Sequence, residues 1–158
     1  MRISHEDTKT RRTTWLGLRV FVTSWLILLV TGHSMAGQAS TPRVLDKGDR
    51  SQIMSRREAV VRTAAEWTAL WKELGSSRPR PTVDFAKSAV VGIFLGSRPT
   101  AGFTVKIDTI ERQGAEIVVT YRERGPNPTD MVAQMLTAPY LLVTIEKFDG
   151  RVRFVRAP

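Results

Sequence analysis

Seven consecutive residues, Ala89-Val-Val-Gly-Ile-Phe-Leu95, carry no polar side chain, and three of them are β-branched. A run this short and apolar predicts a central strand buried on both faces. Gly92 within it predicts close packing against a large side chain, a tryptophan ring of the helix described next being the candidate.

That helix is the most explicit local signal in the chain. Thr63-Ala64-Ala65-Glu66 is a capping box, in which the Thr63 hydroxyl takes the third helical N–H and Glu66 reaches back to the backbone of Thr63. Trp67, Leu70, Trp71 and Leu74 then recur at helical spacing on one face, and Gly75 supplies a left-handed C-terminal cap. Two tryptophans on one face fit either an aromatic ligand surface or a core. Burial habits of large aromatics favour the core, with Trp71→Ala the most damaging substitution.

Strand signals follow the helix. Phe103, Val105 and Ile107 alternate with Thr104, Lys106 and Asp108, and Ile117, Val119 and Tyr121 with Val118, Thr120 and Arg122. Gln113-Gly114 between them predicts an antiparallel hairpin. Ala59-Val60-Val61 and Leu141 to Lys147 read as further strands. Asp149-Gly150 reads as a tight hairpin returning the chain into Arg151 to Val155, with Val152 and Phe154 inward. The expected class is α+β: one amphipathic helix packed on a mainly antiparallel sheet of about five to seven strands.

The first 36 residues have a different character. Lys9, Arg11, Arg12 and Arg19 precede an 11-residue apolar stretch, Val20 to Val30, and small residues follow at Ser34-Met35-Ala36. This is the pattern of a secretory signal peptide, and the apolar stretch falls short of the about 20 residues a membrane span needs. Cleavage is expected, with membrane attachment only if the signal is retained. Arg11-Arg12 suggests twin-arginine export, but Thr14 stands where that motif carries an aromatic residue. Residues 37–54, rich in Ser, Thr, Gly and charge, read as a flexible tether, and the domain as residues 55–158.

Removing residues 1–36 takes away both histidines, and the chain has no cysteine. What remains has 19 basic and 13 acidic residues, a net +6. Acyl-transfer triads, thiolate chemistry and imidazole or thiolate metal sites are then excluded. Carboxylates such as Asp84, Asp108, Glu111, Glu116, Glu123, Asp130 and Glu146 form no calcium-loop pattern. Nor does their spacing show the pair about 5–10 Å apart that a glycoside hydrolase needs. No phosphate-loop glycine pattern and no S-x-x-K motif occurs beyond residue 36. Basic residues are dispersed without aromatic interleaving, against a nucleic-acid face. The expectation is a non-catalytic protein without cofactor or metal, a remote carboxylate hydrolase being the enzymatic alternative.

Two segments are richer than plain connections require. Gly96-Ser-Arg-Pro-Thr-Ala-Gly-Phe103 places two glycines and a proline between two strands, as a rigid presented loop does. Gln134-Met-Leu-Thr-Ala-Pro-Tyr140 puts Pro139 immediately before a strand, with Tyr140 able to anchor a turn through its hydroxyl. The candidate residues for a protein partner are Arg98, Pro99, Thr100, Gly102, Phe103, Thr137, Pro139 and Tyr140. Arg98 by itself reads as a solvated loop charge.

Taken in order, Trp67 and Trp71, Val83-Asp84-Phe85, Phe94-Leu95-Gly96, Arg98-Pro99-Thr100-x-Gly102-Phe103, Tyr121, Glu123, Pro126, Leu136-Thr137-x-Pro139-Tyr140 and a terminal hairpin resemble the C-terminal domain of the protease complex subunit PrcB family. The resemblance covers about residues 55–156. Ala101 and Ala138 depart from the Gly and Ser usual at those positions. The resemblance implies an exported bacterial protein, periplasmic or extracellular, that is not an enzyme and associates with a protein partner, an envelope or secreted protease among them. It brings no catalytic residues with it. Pro99-Thr100-Ala101-Gly102-Phe103 is also similar to the N-P-T-T-G-aromatic loop of chagasin-type cysteine protease inhibitors. Arg98 replaces the Asn there, and the two companion loops are absent. That likeness implies, as the alternative, an inhibitor presenting Ser97 to Phe103.

Overall fold

The computed structural model describes residues 42–158, so the expected signal peptide and the first residues of the expected tether lie outside it. In chain order the elements are β1 (Arg43–Gly48), β2 (Arg57–Val61), α1 (Ala64–Leu74), β3 (Ser88–Phe94), β4 (Thr104–Gln113), β5 (Glu116–Arg124), β6 (Tyr140–Glu146) and β7 (Arg151–Arg156). The class is α+β, as the sequence suggests. The strands form two sheets rather than one. A four-stranded antiparallel sheet runs β1-β6-β3-β2, and a three-stranded sheet runs β4-β5-β7.

The reason for two sheets lies in β3 and β6. Ala89, Val91 and Ile93 on β3, with Leu141, Val143 and Ile145 on β6, meet Ile110 of β4 and Ile117, Val119 and Tyr121 of β5. The alternate residues Val90, Phe94, Tyr140 and Leu142 pack instead with Val61, Trp67, Leu70 and Leu74. Strands apolar on both faces need cover on both sides. Helix α1 covers one face and the three-stranded sheet covers the other.

The helix forms as its sequence dictates. Thr63 Oγ1 accepts from the Glu66 backbone N–H at 3.2 Å, Glu66 accepts from the Thr63 N–H at 3.1 Å, and Gly75 closes the helix at φ 68°. Trp67 is only 1% exposed, and its Nε1 donates to the Pro81 carbonyl at 3.0 Å. Trp71 is half-buried, its ring 5.3 Å from that of Trp67. The core tryptophan is therefore Trp67, not Trp71. Gly92 also differs from expectation: a Cβ there would first meet the Phe94 ring at 2.9 Å and Leu142 at 3.0 Å, not a tryptophan.

Two further expectations are corrected. Within the expected tether, β1 pairs antiparallel with β6, Gly48 opposite Tyr140, and Ser51 and Ile53 are buried. Asp46 and Tyr140, joined side chain to side chain, hold this segment in the domain despite its polar composition. The Asp149-Gly150 turn does not make a β6–β7 hairpin. Phe148 packs into the core between the sheets, and Arg62 holds the Phe148 and Gly150 carbonyls at 3.2 and 2.6 Å. The chain thus crosses between sheets, and β7 pairs parallel with β5.

Candidate functional site

Pairing of β3 with β6 ends at Phe94 and Tyr140, but the backbone ladder continues beyond the strands. Leu95 N–H donates to the Pro139 carbonyl at 2.9 Å. Gly96 then turns the chain at φ 73°, and Ser97 N–H donates to the Met54 carbonyl at 2.9 Å. Arg98 and Thr137 exchange both backbone hydrogen bonds, at 2.7 and 2.9 Å, as an isolated antiparallel bridge. Thr137 Oγ1 donates to the Thr100 carbonyl at 2.9 Å, and Ala101 N–H to the Ala133 carbonyl at 3.0 Å. Gly102, at φ 90°, lies so close to Pro126 that a Cβ would come within 2.9 Å of it. The two segments singled out in the sequence therefore form one edge, tied down along its length.

The residues of that edge divide by exposure. Ser97, Pro99 and Gly102 are exposed, and Arg98, Thr100 and Phe103 are half-buried. Thr137, Pro139 and Tyr140 are buried, so these three brace the edge from behind and offer no surface to a partner. Large apolar side chains stand exposed beside it: Met54 at 54%, Met135 at 37% and Leu136 at 62%.

Arg98 is not a solvated charge. Its side chain is 17% exposed, and its Nε lies 2.5 Å from Glu123 Oε1 on β5. Its Nη1 holds the Ser97 carbonyl at 2.8 Å, and its guanidinium lies 5.8 Å from the Phe103 ring centre. Arg56 and Arg156 reach the other oxygen of Glu123 at 2.6 and 3.4 Å. With donors on both oxygens, first Arg98 and then Arg56, the Glu123 carboxyl is held down at about 2 against the opposing effect of burial.

A second polar knot holds the back of the edge. Tyr140 Oη donates to Asp46 Oδ2 and accepts from Arg78 Nη2, both at 2.8 Å, and Arg78 Nη1 lies 2.5 Å from Asp46 Oδ1. Burial first, and the Asp46 carboxylate next, push the Tyr140 hydroxyl up to about 12. Tyr140 thus anchors β1 and the segment after α1 rather than its own turn. Arg56, Arg78, Arg156 and Met54 carry no sequence signal of this role. Their partners lie 32 to 67 positions away, and only folding pairs them.

Among the described residues no group of three or more His, Cys, Asp or Glu gathers as metal ligands do, and no helix is long and apolar enough to cross a membrane. No curated protein and no solved structure matches the chain. Residues 89–146 match the family model of the PrcB C-terminal domain. The match runs from β3 to β6 and takes in both segments of the edge and Glu123, leaving β1, β2, α1 and β7 outside it. Over residues 89–146 the chain is similar to the PrcB C-terminal family.

Proposed function

We propose that this chain is an exported, non-catalytic binding module that docks a protein partner on the edge formed by residues 97–103 and 133–137. The observation that carries this reading is the Arg98–Thr137 bridge, which joins the glycine- and proline-bearing residues 97–103 to residues 133–137 as one braced surface beside exposed Met54, Met135 and Leu136. A braced edge loses little conformational freedom on binding, and grouped exposed apolar side chains are a common mark of contact surfaces. The absence of His and Cys beyond residue 36 supports a role without turnover. The basic leader and short apolar stretch support export to the periplasm or the exterior. An envelope or secreted protease is the partner class that the resemblance to a protease complex subunit favours.

The test is site-specific capture. The chain has no cysteine, so Ser97→Cys places a single thiol on the exposed part of the edge. Cross-linking from that thiol in the native host should trap one dominant protein, and assays of that protein then separate association from inhibition. A catch of bulk envelope proteins alone would remove the binding role from this edge.

A further inference from the structure

The three guanidinium groups around Glu123 are more than one carboxylate neutralises. Arg98 occupies Oε1, while Arg56 and Arg156 share Oε2. The next carboxylate, Glu58, accepts from Tyr121 Oη. Counting both carboxylates, the three arginines leave a positive excess. That excess sits on the outside of the cluster: the Arg156 side chain is 56% exposed and makes one long contact, and Arg56 is 34% exposed. Each guanidinium has five N–H donors, so both keep donors facing water. Arg56 follows Met54 by two residues, and Met54 accepts from Ser97 on the edge. A basic spot and an apolar patch are therefore joined through the same backbone.

We propose that this spot selects the partner's chemistry: the edge takes an acidic peptide segment, with a Glu or Asp of the partner bridging Arg156 and Arg56 while a neighbouring aliphatic side chain covers Met54 and Leu136. This rests on the binding-module reading and deepens it. An anionic lipid surface is the other class with the right charge. A peptide fits better, because the basic groups converge on one point around a carboxylate instead of spreading over a flat face. A planar, forked donor pair also suits a single carboxylate.

The probe is a fluorescein-labelled peptide alternating Glu and Leu, with a Gln-for-Glu counterpart, titrated against the full chain at two salt concentrations. The Glu peptide should bind, weaken with salt, and exceed the Gln peptide by about tenfold or more, the factor one charge-assisted hydrogen bond supplies. Arg156→Gln alters an exposed side chain near the chain's end and should lower affinity for the Glu peptide by about tenfold, while circular dichroism shows the same fold. Equal binding of both peptides, no binding, or an unchanged affinity in Arg156→Gln overturns the proposal. Binding only to phosphatidylserine-containing vesicles overturns it in favour of a lipid surface. Capture through Ser97→Cys, repeated in the Arg156→Gln background, separates the two readings. A partner still trapped at full yield leaves the binding edge standing and sinks its acidic selectivity, whereas failure of capture with Arg156 intact sinks the edge itself.

Discussion

Arg98 Nε meets Glu123 Oε1 at 2.5 Å, and the pair joins the two sheets at one end. Arg98 sits where the four-stranded sheet runs out past β3, and Glu123 sits near the end of β5 in the three-stranded sheet. Both side chains are largely withdrawn from water, so removing one partner costs more than breaking an exposed pair. Glu123→Gln should lower stability by on the order of 2 kcal/mol and speed proteolytic cleavage within residues 97–103. Arg98→Lys should not rescue the contact, because an ammonium cannot reproduce a planar fork that holds both Glu123 and the Ser97 carbonyl. Urea unfolding with limited proteolysis checks both, and unchanged cleavage in Glu123→Gln would falsify the bracing role.

Acid sensitivity should come from the same carboxyl. Its folded value of about 2 lies below the ordinary 4.5, so its contribution is present above about 4.5 and is lost as pH falls from there through about 2. Each unit corresponds to about 1.4 kcal/mol, and solvent screening at this half-open cluster reduces the sum to on the order of 2 kcal/mol. The measurement is the urea midpoint across that window. Wild type should fall more steeply than Glu123→Gln; parallel curves would assign the acid limb to other groups.

An opposite shift governs the alkaline side. Tyr140 is raised to about 12 and Tyr121 is raised as well, by burial and then by the Glu58 carboxylate. A group raised in the folded state contributes stability below its ordinary value of 10, and that stability is lost as pH climbs through the folded value. Absorbance titration should show both of the chain's tyrosines ionising above pH 10, with the Tyr140→Phe protein losing the later step. A tyrosine titrating at its ordinary value would mean that its hydroxyl is open to solvent.

The two tryptophans of α1 should behave differently. Trp67→Ala removes a fully buried ring and its hydrogen bond to the Pro81 carbonyl, at a cost of roughly 3–5 kcal/mol. Trp71→Ala opens a half-buried position where the chain can relax, and should cost clearly less. Thermal midpoints of the two proteins decide the order, and the reverse order would place Trp71 at the centre of that core.

Gly96 offers a test of the junction between strand and edge. It has φ 73°, and a Cβ would approach the Arg56 backbone nitrogen to 2.7 Å and the Met54 carbonyl oxygen to 2.8 Å. Backbone cannot swing aside as a flexible side chain can, so Gly96→Ala should cost about 2 kcal/mol or more and free the Ser97–Met54 contact. Gly114, at φ 61° with open space around it, is the control: Gly114→Asn should change stability little. Amide exchange at Ser97 reports the contact directly. Protection retained in Gly96→Ala would show that residues 54–56 are not packed against the turn.

Where local chemistry was sufficient, the amino-acid order alone foretold the outcome. The capping box needs only Thr63 and Glu66, three residues apart, and the β4–β5 hairpin needs only alternation and a glycine in the turn. The apolar run in β3 announced its two buried faces, and the R-P-T-x-G-F and L-T-x-P-Y segments announced that something was built there. Partnership over distance was a matter for the folded chain. Nothing near Glu123 in sequence indicates Arg56, Arg98 and Arg156, and nothing in a polar stretch marks Asp46 as the acceptor for Tyr140. Likewise an Asp-Gly pair encodes a turn but not its destination. Phe148 finds its burial between the sheets, and that carries β7 away from β6 to lie parallel beside β5. Patterns with a period of two to four residues are set by backbone geometry and survive in any context. Ion pairs and sheet assignments depend on which surfaces remain uncovered once those elements pack, and that is decided only when the whole domain has closed.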